Sequence, residues 1–308
     1  MELLFCEDIN ADLLHSQSLV DSTGPIIFFI PGNPGLINFY WEFLRNVSES
    51  SPKSEVVGIG HSGMSCMKGS DLDNDKVYTL DEQVEAKVKV INEYTSANPA
   101  RVVTLMGHSI GCYMIQKIVM HEKFDASVEH IKLLTPTIID IHRSRKGTQL
   151  TRISEWCPKL YDYITLMDSI IFNWLLPVGI TEWLASKLIG KSDECVLKSL
   201  SQLLLNPSCV KQALGLAQHE MSQVRNQWDF QEAFIKTTQA NGSKLQIIFT
   251  KGDHWVHPDT MKDIIELYEA KYTNSLSKLL HISITDEFTH SFVVGDTMKV
   301  VNLLLSYQ

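Results

Sequence analysis

Short apolar runs alternate with longer amphipathic segments along most of the chain. Near-continuous apolar character is typical of strands that are covered on both faces of a sheet. Six runs have it: Pro25–Ile30, Glu55–Ile59, Arg101–Met106, Ile131–Thr135, Leu245–Thr250 and Leu279–Ile284. Helical spacing follows at Phe39–Val47, Leu80–Tyr94, Cys112–His121, Met261–Tyr272 and Asp296–Leu305. This alternation predicts an α/β protein with a mostly parallel sheet flanked by helices.

The alternation is interrupted once, from about residue 142 to residue 241. This stretch has no buried-strand pattern and holds four of the six tryptophans, Trp156, Trp174, Trp183 and Trp228. Structureless loops of that length are uncommon in compact domains. We therefore predict a helical cap inserted into a single domain that spans residues 1–308, whose core comprises residues 1–141 and 242–308.

Composition narrows the class of protein. The 308 residues are 44% apolar, and 27 basic against 36 acidic side chains give a net charge of −9. A negative net charge argues against a nucleic-acid binder, because the affinity of such a protein comes largely from neutralising phosphates. A chain of this size buries a core without disulfides or a structural metal, and its six cysteines form no C-x-x-C pair. We predict free thiols, no metal and no cofactor.

The segment Gly107-His108-Ser109-Ile110-Gly111 contains G-x-S-x-G between a predicted strand and a predicted helix. This context is typical of a nucleophile elbow, where a sharp turn raises the serine hydroxyl above the sheet. The glycines leave room for the turn, and the helix N-terminus directs N–H groups at a developing oxyanion. The alternative is that Ser109 is only a helix N-cap.

A catalytic serine needs a base, and the base needs an orienting acid, in the chain order serine, acid, histidine. Asp253 follows the predicted strand Leu245–Thr250, so it lies at the ligand-binding edge of the sheet. Asp253 also fits a turn or helix-cap aspartate. Asp259 is the main competitor, although it follows Pro258 and is typical of a helix start.

His290 is the candidate base, because it follows the last predicted strand, 37 residues after Asp253. The alternative is a solvated loop histidine. His281 lies inside the strand pattern, and His254 and His257 are too close to Asp253 to be its partner in this topology.

The second oxyanion donor is expected in the loop after the first predicted strand, Pro31-Gly32-Asn33-Pro34-Gly35. The backbone N–H groups of Asn33 and Ile110 are the candidate pair. An ordinary turn is the alternative for this loop.

These motifs together carry a resemblance to a known family. The P-G-N-P-G loop with Phe39 and Tyr40, G-H-S-I-G, and G-x-D-x-W at residues 252–255 resemble the lipid droplet-associated hydrolase family. The resemblance runs from about residue 25 to the end and is weak across the cap. Further matching segments are Gln83-Val84-Glu85-x-Lys87, Leu134-x-Pro136-Thr137 and Glu220-Met221.

The resemblance implies an α/β-hydrolase fold and hydrolysis of neutral lipid esters, either triacylglycerols or sterol esters. It implies Ser109 as nucleophile, Asp253 as acid and His290 as base, and a location at lipid droplets with the cytosol or the endoplasmic reticulum surface. The chain departs from the family in the proline near the acid, which is displaced to Pro258. Two other hypotheses stay open: a droplet-organising protein with little hydrolysis, and a soluble small-ester hydrolase.

The cap contains the most apolar segment of the chain, residues 164–189. Polar residues and a proline interrupt it, so it does not resemble a spanning helix of about 20 apolar residues. The N-terminus lacks the pattern of a signal peptide, so we do not expect secretion. The stretch from Ile170 to Ile180 fits either a droplet-binding surface or helices packed over the active site. No basic run flanks it, so any lipid contact is expected to be apolar.

Overall fold

The fold is known from a computed structural model that describes residues 1–16, 24–68, 72, 76–157, 160–175, 178–189 and 193–306. Eight strands form one sheet in the order β1-β2-β4-β3-β5-β6-β7-β8. The strands are β1 (Glu2–Cys6), β2 (Ala11–His15), β3 (Ile26–Ile30), β4 (Glu55–Ile59), β5 (Val103–His108), β6 (Val128–Leu134), β7 (Lys244–Thr250) and β8 (Leu280–Thr285).

All neighbouring pairs from β4 to β8 are parallel, which confirms the predicted mostly parallel sheet. The six predicted strands correspond to β3–β8, although β5 begins and ends two residues later than predicted. Because β5 continues through His108, the strand delivers the chain directly to Ser109.

The N-terminal hairpin β1–β2 is a difference from the prediction. Its strands pair antiparallel with each other, and β2 pairs antiparallel with β4. β1 lies at the edge of the sheet and is partly exposed, and its apolar run is short, Leu3-Leu4-Phe5-Cys6. In β2 the buried Asp12 interrupts the apolar pattern, and its carboxylate accepts hydrogen bonds from the Ser65 hydroxyl at 2.6 Å and the Cys66 N–H at 2.6 Å.

The helices in chain order are α1 (Trp41–Ser50), α2 (Leu80–Ser96), α3 (Ile110–Val119), α4 (Arg145–Trp156), α5 (Leu160–Asp168), α6 (Val178–Ile189), α7 (Glu194–Leu205), α8 (Pro207–Gln223), α9 (Trp228–Asn241), α10 (Pro258–Lys271) and α11 (Thr297–Leu305). They cover both faces of the sheet. Phe28, pointing to one face, packs in the cluster that holds α2, α3, α9 and α10. Phe29, its neighbour on β3, points to the other face, with α1 and α11. The core is therefore two apolar layers with the sheet between them.

The stretch predicted as a helical insertion, about residues 142–241, lies between β6 and β7, and its described helices are α4–α9, with the π-helical segment Ser169–Leu175 after α5. Within it α8 packs against α4, α5 and α7. The next helix, α9, packs against α3, and its Phe234 and Ile235 join the core beside the sheet. No helix in the described ranges is long and apolar enough to cross a membrane. The six cysteines are free thiols.

Candidate active site

Ser109 occupies a strained turn between β5 and α3. Its φ of 54° and ψ of −122° lie in a region that side-chain-bearing residues rarely adopt. The Ser109 N–H donates to the Leu134 carbonyl at 3.0 Å, which ties the turn to the neighbouring strand. Although Ser109 precedes α3, its side chain makes no cap hydrogen bond. The hydroxyl instead lies 2.9 Å from His290 Nε2.

Ser109, His290 and Asp253 form one hydrogen-bonded chain. His290 Nδ1 lies 2.8 Å from Asp253 Oδ2, and Nε2 faces the Ser109 hydroxyl. In a neutral imidazole the nitrogen beside a carboxylate carries the proton, so Nε2 is free to accept a proton from serine. The structure thus brings together the three residues expected from chain order, although they lie 37 and 181 residues apart in sequence.

Asp253 is fixed where β7 ends. Its side chain is 1% exposed, and Oδ1 accepts a hydrogen bond from the Trp255 N–H at 2.7 Å. Its buried position and the hydrogen bond to Oδ1 hold the other carboxylate oxygen, Oδ2, toward His290 Nδ1. The competing Asp259 lies in the first turn of α10 with an exposed side chain. His281 lies on β8, as expected from the strand pattern.

A second chain of hydrogen bonds, through Tyr40 and His108, reaches the backbone carbonyl of His290. The Gly32 N–H donates to the Tyr40 hydroxyl at 3.0 Å, and this hydroxyl lies 2.7 Å from His108 Nδ1. His108 Nε2 lies 2.9 Å from the His290 carbonyl oxygen, which can only accept. Nε2 therefore carries the proton and Nδ1 accepts from Tyr40. Burial holds the pKa of His108 well below its ordinary value, so the ring stays neutral in this role.

The loop 31–35, which we call the oxyanion loop, lies against the elbow. A Cβ atom on Gly32 would lie 3.0 Å from the Ser109 Cβ, so the backbone of the loop passes close to Ser109. Ile110 is the first residue of α3, and its N–H therefore has no acceptor within the helix. Asn33 and Ser109 line the same cavity. The two candidate oxyanion donors thus belong to backbone segments that meet beside Ser109.

The cavity above Ser109 has a volume of about 480 Å³, within the usual range for small-molecule sites. Its floor comes from the core, and its roof comes from α4, α7 and α8 of the insertion. The roof side chains are mainly apolar: Leu150, Val196, Leu200, Leu203, Leu214 and Ala217. The arrangement places the Ser109 hydroxyl in an apolar cavity, which suits an acyl group.

Sequence reasoning named Tyr40, His108 and Glu220 only as parts of matching motifs and assigned them no contact at the site. Tyr40 and His108 lie inside the recognised motifs, but nothing in their spacing indicates this second chain of hydrogen bonds. Glu220 lines the cavity from α8 and accepts a hydrogen bond from Asn33. Among the described residues, no group of three or more histidine, cysteine or acidic side chains is arranged to hold a metal ion.

Comparison with known proteins identifies similar sequences and folds. A sequence model described as lipid-droplet associated hydrolase matches residues 23–293. A Drosophila melanogaster protein named lipid droplet-associated hydrolase is 26% identical over 245 residues, 75% of this chain and 74% of its own length. A Gallus gallus protein of the same name is 28% identical over 253 residues, 79% of this chain and 74% of its own length.

A solved structure from Burkholderia ambifaria, described as an alpha/beta hydrolase fold protein, has the same architecture. It superposes with a TM-score of 0.60 at 12% sequence identity, over 99% of this chain and 97% of that one. At this identity the likeness establishes the fold alone. The predicted α/β-hydrolase fold is confirmed.

Proposed function

The chain belongs to the lipid-droplet associated hydrolase family, and from this premise we propose that it is a serine ester hydrolase acting on triacylglycerols, sterol esters or both at the droplet surface. The observation that carries the proposal is the hydrogen-bonded chain of Ser109, His290 and Asp253 at the base of an apolar cavity. Away from droplets, we expect the protein in the cytosol or at the endoplasmic reticulum surface.

The chemistry follows from the protonation states of the three side chains. Ser109 Oγ attacks the ester carbonyl as His290 Nε2 takes its proton, and the carbonyl oxygen gains the negative charge. Asp253 holds the ring in the required tautomer and stabilises the imidazolium. The N–H groups of Asn33 and Ile110 bind the oxyanion.

When the intermediate collapses, the bond between the acyl carbon and the alcohol oxygen breaks, and His290 protonates the departing alcohol. The acyl group stays on Ser109. A water molecule, deprotonated by the same imidazole, then attacks the acyl carbon and releases the fatty acid. No cofactor takes part in these steps.

The apolar roof favours lipid esters over small polar esters. Transfer of a methylene group from water to an apolar site is worth about 0.8 kcal/mol, so a longer acyl chain gains binding energy until the cavity is filled. The neutral lipid of a droplet supplies esters of this kind.

Ester chain length tests the proposal. We expect kcat/KM of the purified protein to rise about tenfold or more from acetyl to octanoyl p-nitrophenyl esters, and emulsified triolein or cholesteryl oleate to be hydrolysed. Fatty-acid release and absorbance give the rates. A preference for acetyl esters would instead support a soluble small-ester hydrolase, and absence of turnover with folded protein would support a droplet-organising role.

The insertion also offers a surface for droplet contact. Of the fourteen large apolar side chains exposed in the described part of the chain, nine lie between residues 153 and 183. They are Ile153, Trp156, Tyr163, Ile164, Leu166, Met167, Ile170, Ile180 and Trp183. We call them the insertion surface. Trp174, Leu175, Leu176, Pro177 and Val178 of the stretch considered above lie outside the side chains that the structure describes.

We propose that the insertion surface docks on the phospholipid monolayer of a lipid droplet. Trp156 is 92% exposed and Trp183 is 58% exposed, and tryptophan partitions into the boundary between headgroups and acyl chains. A concentration of exposed apolar side chains marks an interaction site. The net charge of −9 makes electrostatic attraction to anionic lipid a poor alternative.

Flotation with triolein droplets coated in phosphatidylcholine tests this docking. Changing Trp156, Leu166 and Trp183 together to serine is expected to lower droplet affinity about tenfold or more, because each loses apolar area buried in lipid. The matched control changes three exposed apolar residues outside the insertion, Met67, Ile284 and Met298, to serine.

The control triple variant should float like the wild type, and binding of the wild type should persist in 0.5 M salt because the contact is apolar, the screening length there being only about 4 Å. Equal loss in the two triple variants would contradict the assignment of the insertion surface. A wild-type protein that stays in the bottom fraction would contradict droplet docking itself.

A further inference from the structure

The oxyanion loop is held by two residues of the insertion as well as by the core. Asn33 Nδ2 donates to the Ala213 carbonyl at 2.9 Å and to Glu220 Oε1 at 2.9 Å. A carboxamide nitrogen carries two hydrogens, so both are used. Both acceptors belong to α8, which lies 180 or more residues further along the chain.

Glu220 has few interactions that explain its burial. Glu220 is only 5% exposed, and it lines the cavity that contains Ser109. Burial raises the pKa of Glu220 to about 8, with the Asn33 hydrogen bond opposing the shift. At neutral pH the carboxyl group is therefore mainly protonated and uncharged. A glutamine at this position has the same shape and the same acceptor oxygen.

The remaining anchors of the oxyanion loop lie on either side of Asn33. The Gly32 N–H is bound by the Tyr40 hydroxyl, and the Gly35 carbonyl accepts from the His61 N–H at 3.0 Å. Both anchors belong to the core. The Asn33 side chain, between them, is bound by α8.

We propose that Glu220 is a positioning residue for the oxyanion site: its hydrogen bond to the Asn33 side chain sets the place of the Asn33 backbone N–H, so that α8 of the insertion completes the site. This inference rests on the proposed function. A negative charge on the carbonyl oxygen exists only in the transition state and intermediate, so a displaced N–H lowers kcat and leaves KM nearly unchanged.

The kinetic test uses three variants of the full chain. Glu220→Leu removes the acceptor and should lower kcat for a soluble octanoyl ester about 10- to 100-fold, with KM within about twofold. Glu220→Gln keeps the acceptor and should retain kcat within about twofold of the wild type. Glu220→Ala gives the same comparison if the leucine variant does not fold.

Gln212→Leu is the matched control on the same helix. Gln212 is buried and makes two hydrogen bonds to the Tyr78 backbone, at 2.7 Å from its N–H and 3.0 Å to its carbonyl. Its loss removes comparable bonds between α8 and the core, away from the oxyanion loop. We expect kcat of this variant to stay within about twofold of the wild type, because nothing that touches the reacting ester moves.

Hydrogen exchange supplies a readout that does not need turnover. Glu220→Leu should accelerate amide exchange in the peptide covering residues 31–40, whereas Glu220→Gln and Gln212→Leu should leave it unchanged. If the wild type hydrolyses no ester, the proposed function fails, and exchange alone judges the link between Glu220 and Asn33. Unchanged exchange in Glu220→Leu, equal kcat losses in Glu220→Leu and Gln212→Leu, or a glutamine variant as slow as the leucine variant would each overturn the inference.

Discussion

Changing Ser109 to alanine is expected to lower kcat for ester hydrolysis by about 10⁴-fold or more, the loss seen when a serine nucleophile is removed. The Ser109 hydroxyl lies 2.9 Å from His290 Nε2, and in the hydrogen-bonded chain of Ser109, His290 and Asp253 it is the hydroxyl that can attack an ester. Without it no acyl group transfers to the protein. Labelling by a fluorophosphonate probe should disappear in the same variant.

The three side chains should act as a unit. His290→Gln is expected to lower kcat nearly as much as Ser109→Ala does. The double variant should be no slower than Ser109→Ala alone, because the two side chains contribute to the same step. Asp253→Asn should lower kcat by about 10³- to 10⁴-fold, since the amide favours the wrong imidazole tautomer.

A surface serine provides the control for this series. Ser277, in the turn Asn274–Leu279, is exposed and donates only to the Asn274 carbonyl. Ser277→Ala should keep full activity and full labelling. Hydrolysis that survives in Ser109→Ala, with the probe attached elsewhere, would assign the nucleophile to another residue.

Sequence patterns predicted the parallel part of the sheet because each of its strands carries an apolar run. The strands β3, β5 and β7 are buried along almost their whole length, whereas β6 is partly buried and the edge strand β8 is only half-buried. The strand β2 escaped the same reasoning because the buried Asp12 interrupts its apolar pattern and is compensated by hydrogen-bond donors 53 to 55 residues away. The loop 31–35 and the elbow indicated the family, and the match over residues 23–293 confirms that resemblance.

The candidate residues that follow directly from the order of strands and loops could be predicted from the sequence. The contacts that join residues far apart in the sequence could not. Ser109, Asp253 and His290 follow from the order of strands and loops. The chain of hydrogen bonds through Tyr40 and His108 depends on a β5 that continues two residues beyond its apolar run. Glu220 is 187 residues from Asn33, and only the packing of α8 over the core brings them together.

The strongest steric constraint on the turn between β5 and α3 lies at Gly111, two residues after Ser109. A Cβ atom there would lie 2.3 Å from the Ile30 carbonyl oxygen and 2.6 Å from that of Pro31. These atoms are backbone at the end of β3 and the start of the oxyanion loop. They cannot rotate away as a side chain does, so α3 and the loop must separate.

Gly111→Ala is therefore expected to lower the free energy of unfolding by about 3 kcal/mol, at the upper end of the cost of overpacking. It is also expected to lower kcat about 100-fold, the cost of displacing reacting groups by about 1 Å.

Gly179→Ala is the matched control, because nothing lies within 4 Å of its added Cβ in α6. That variant should be as stable as the wild type or more stable by about 0.5–1 kcal/mol, the difference in helix propensity. Urea unfolding and ester hydrolysis measure both quantities. A Gly111→Ala protein of unchanged stability and full activity would contradict the close approach of α3 to the oxyanion loop, whereas a stable but slow protein would show that the approach serves catalysis more than folding.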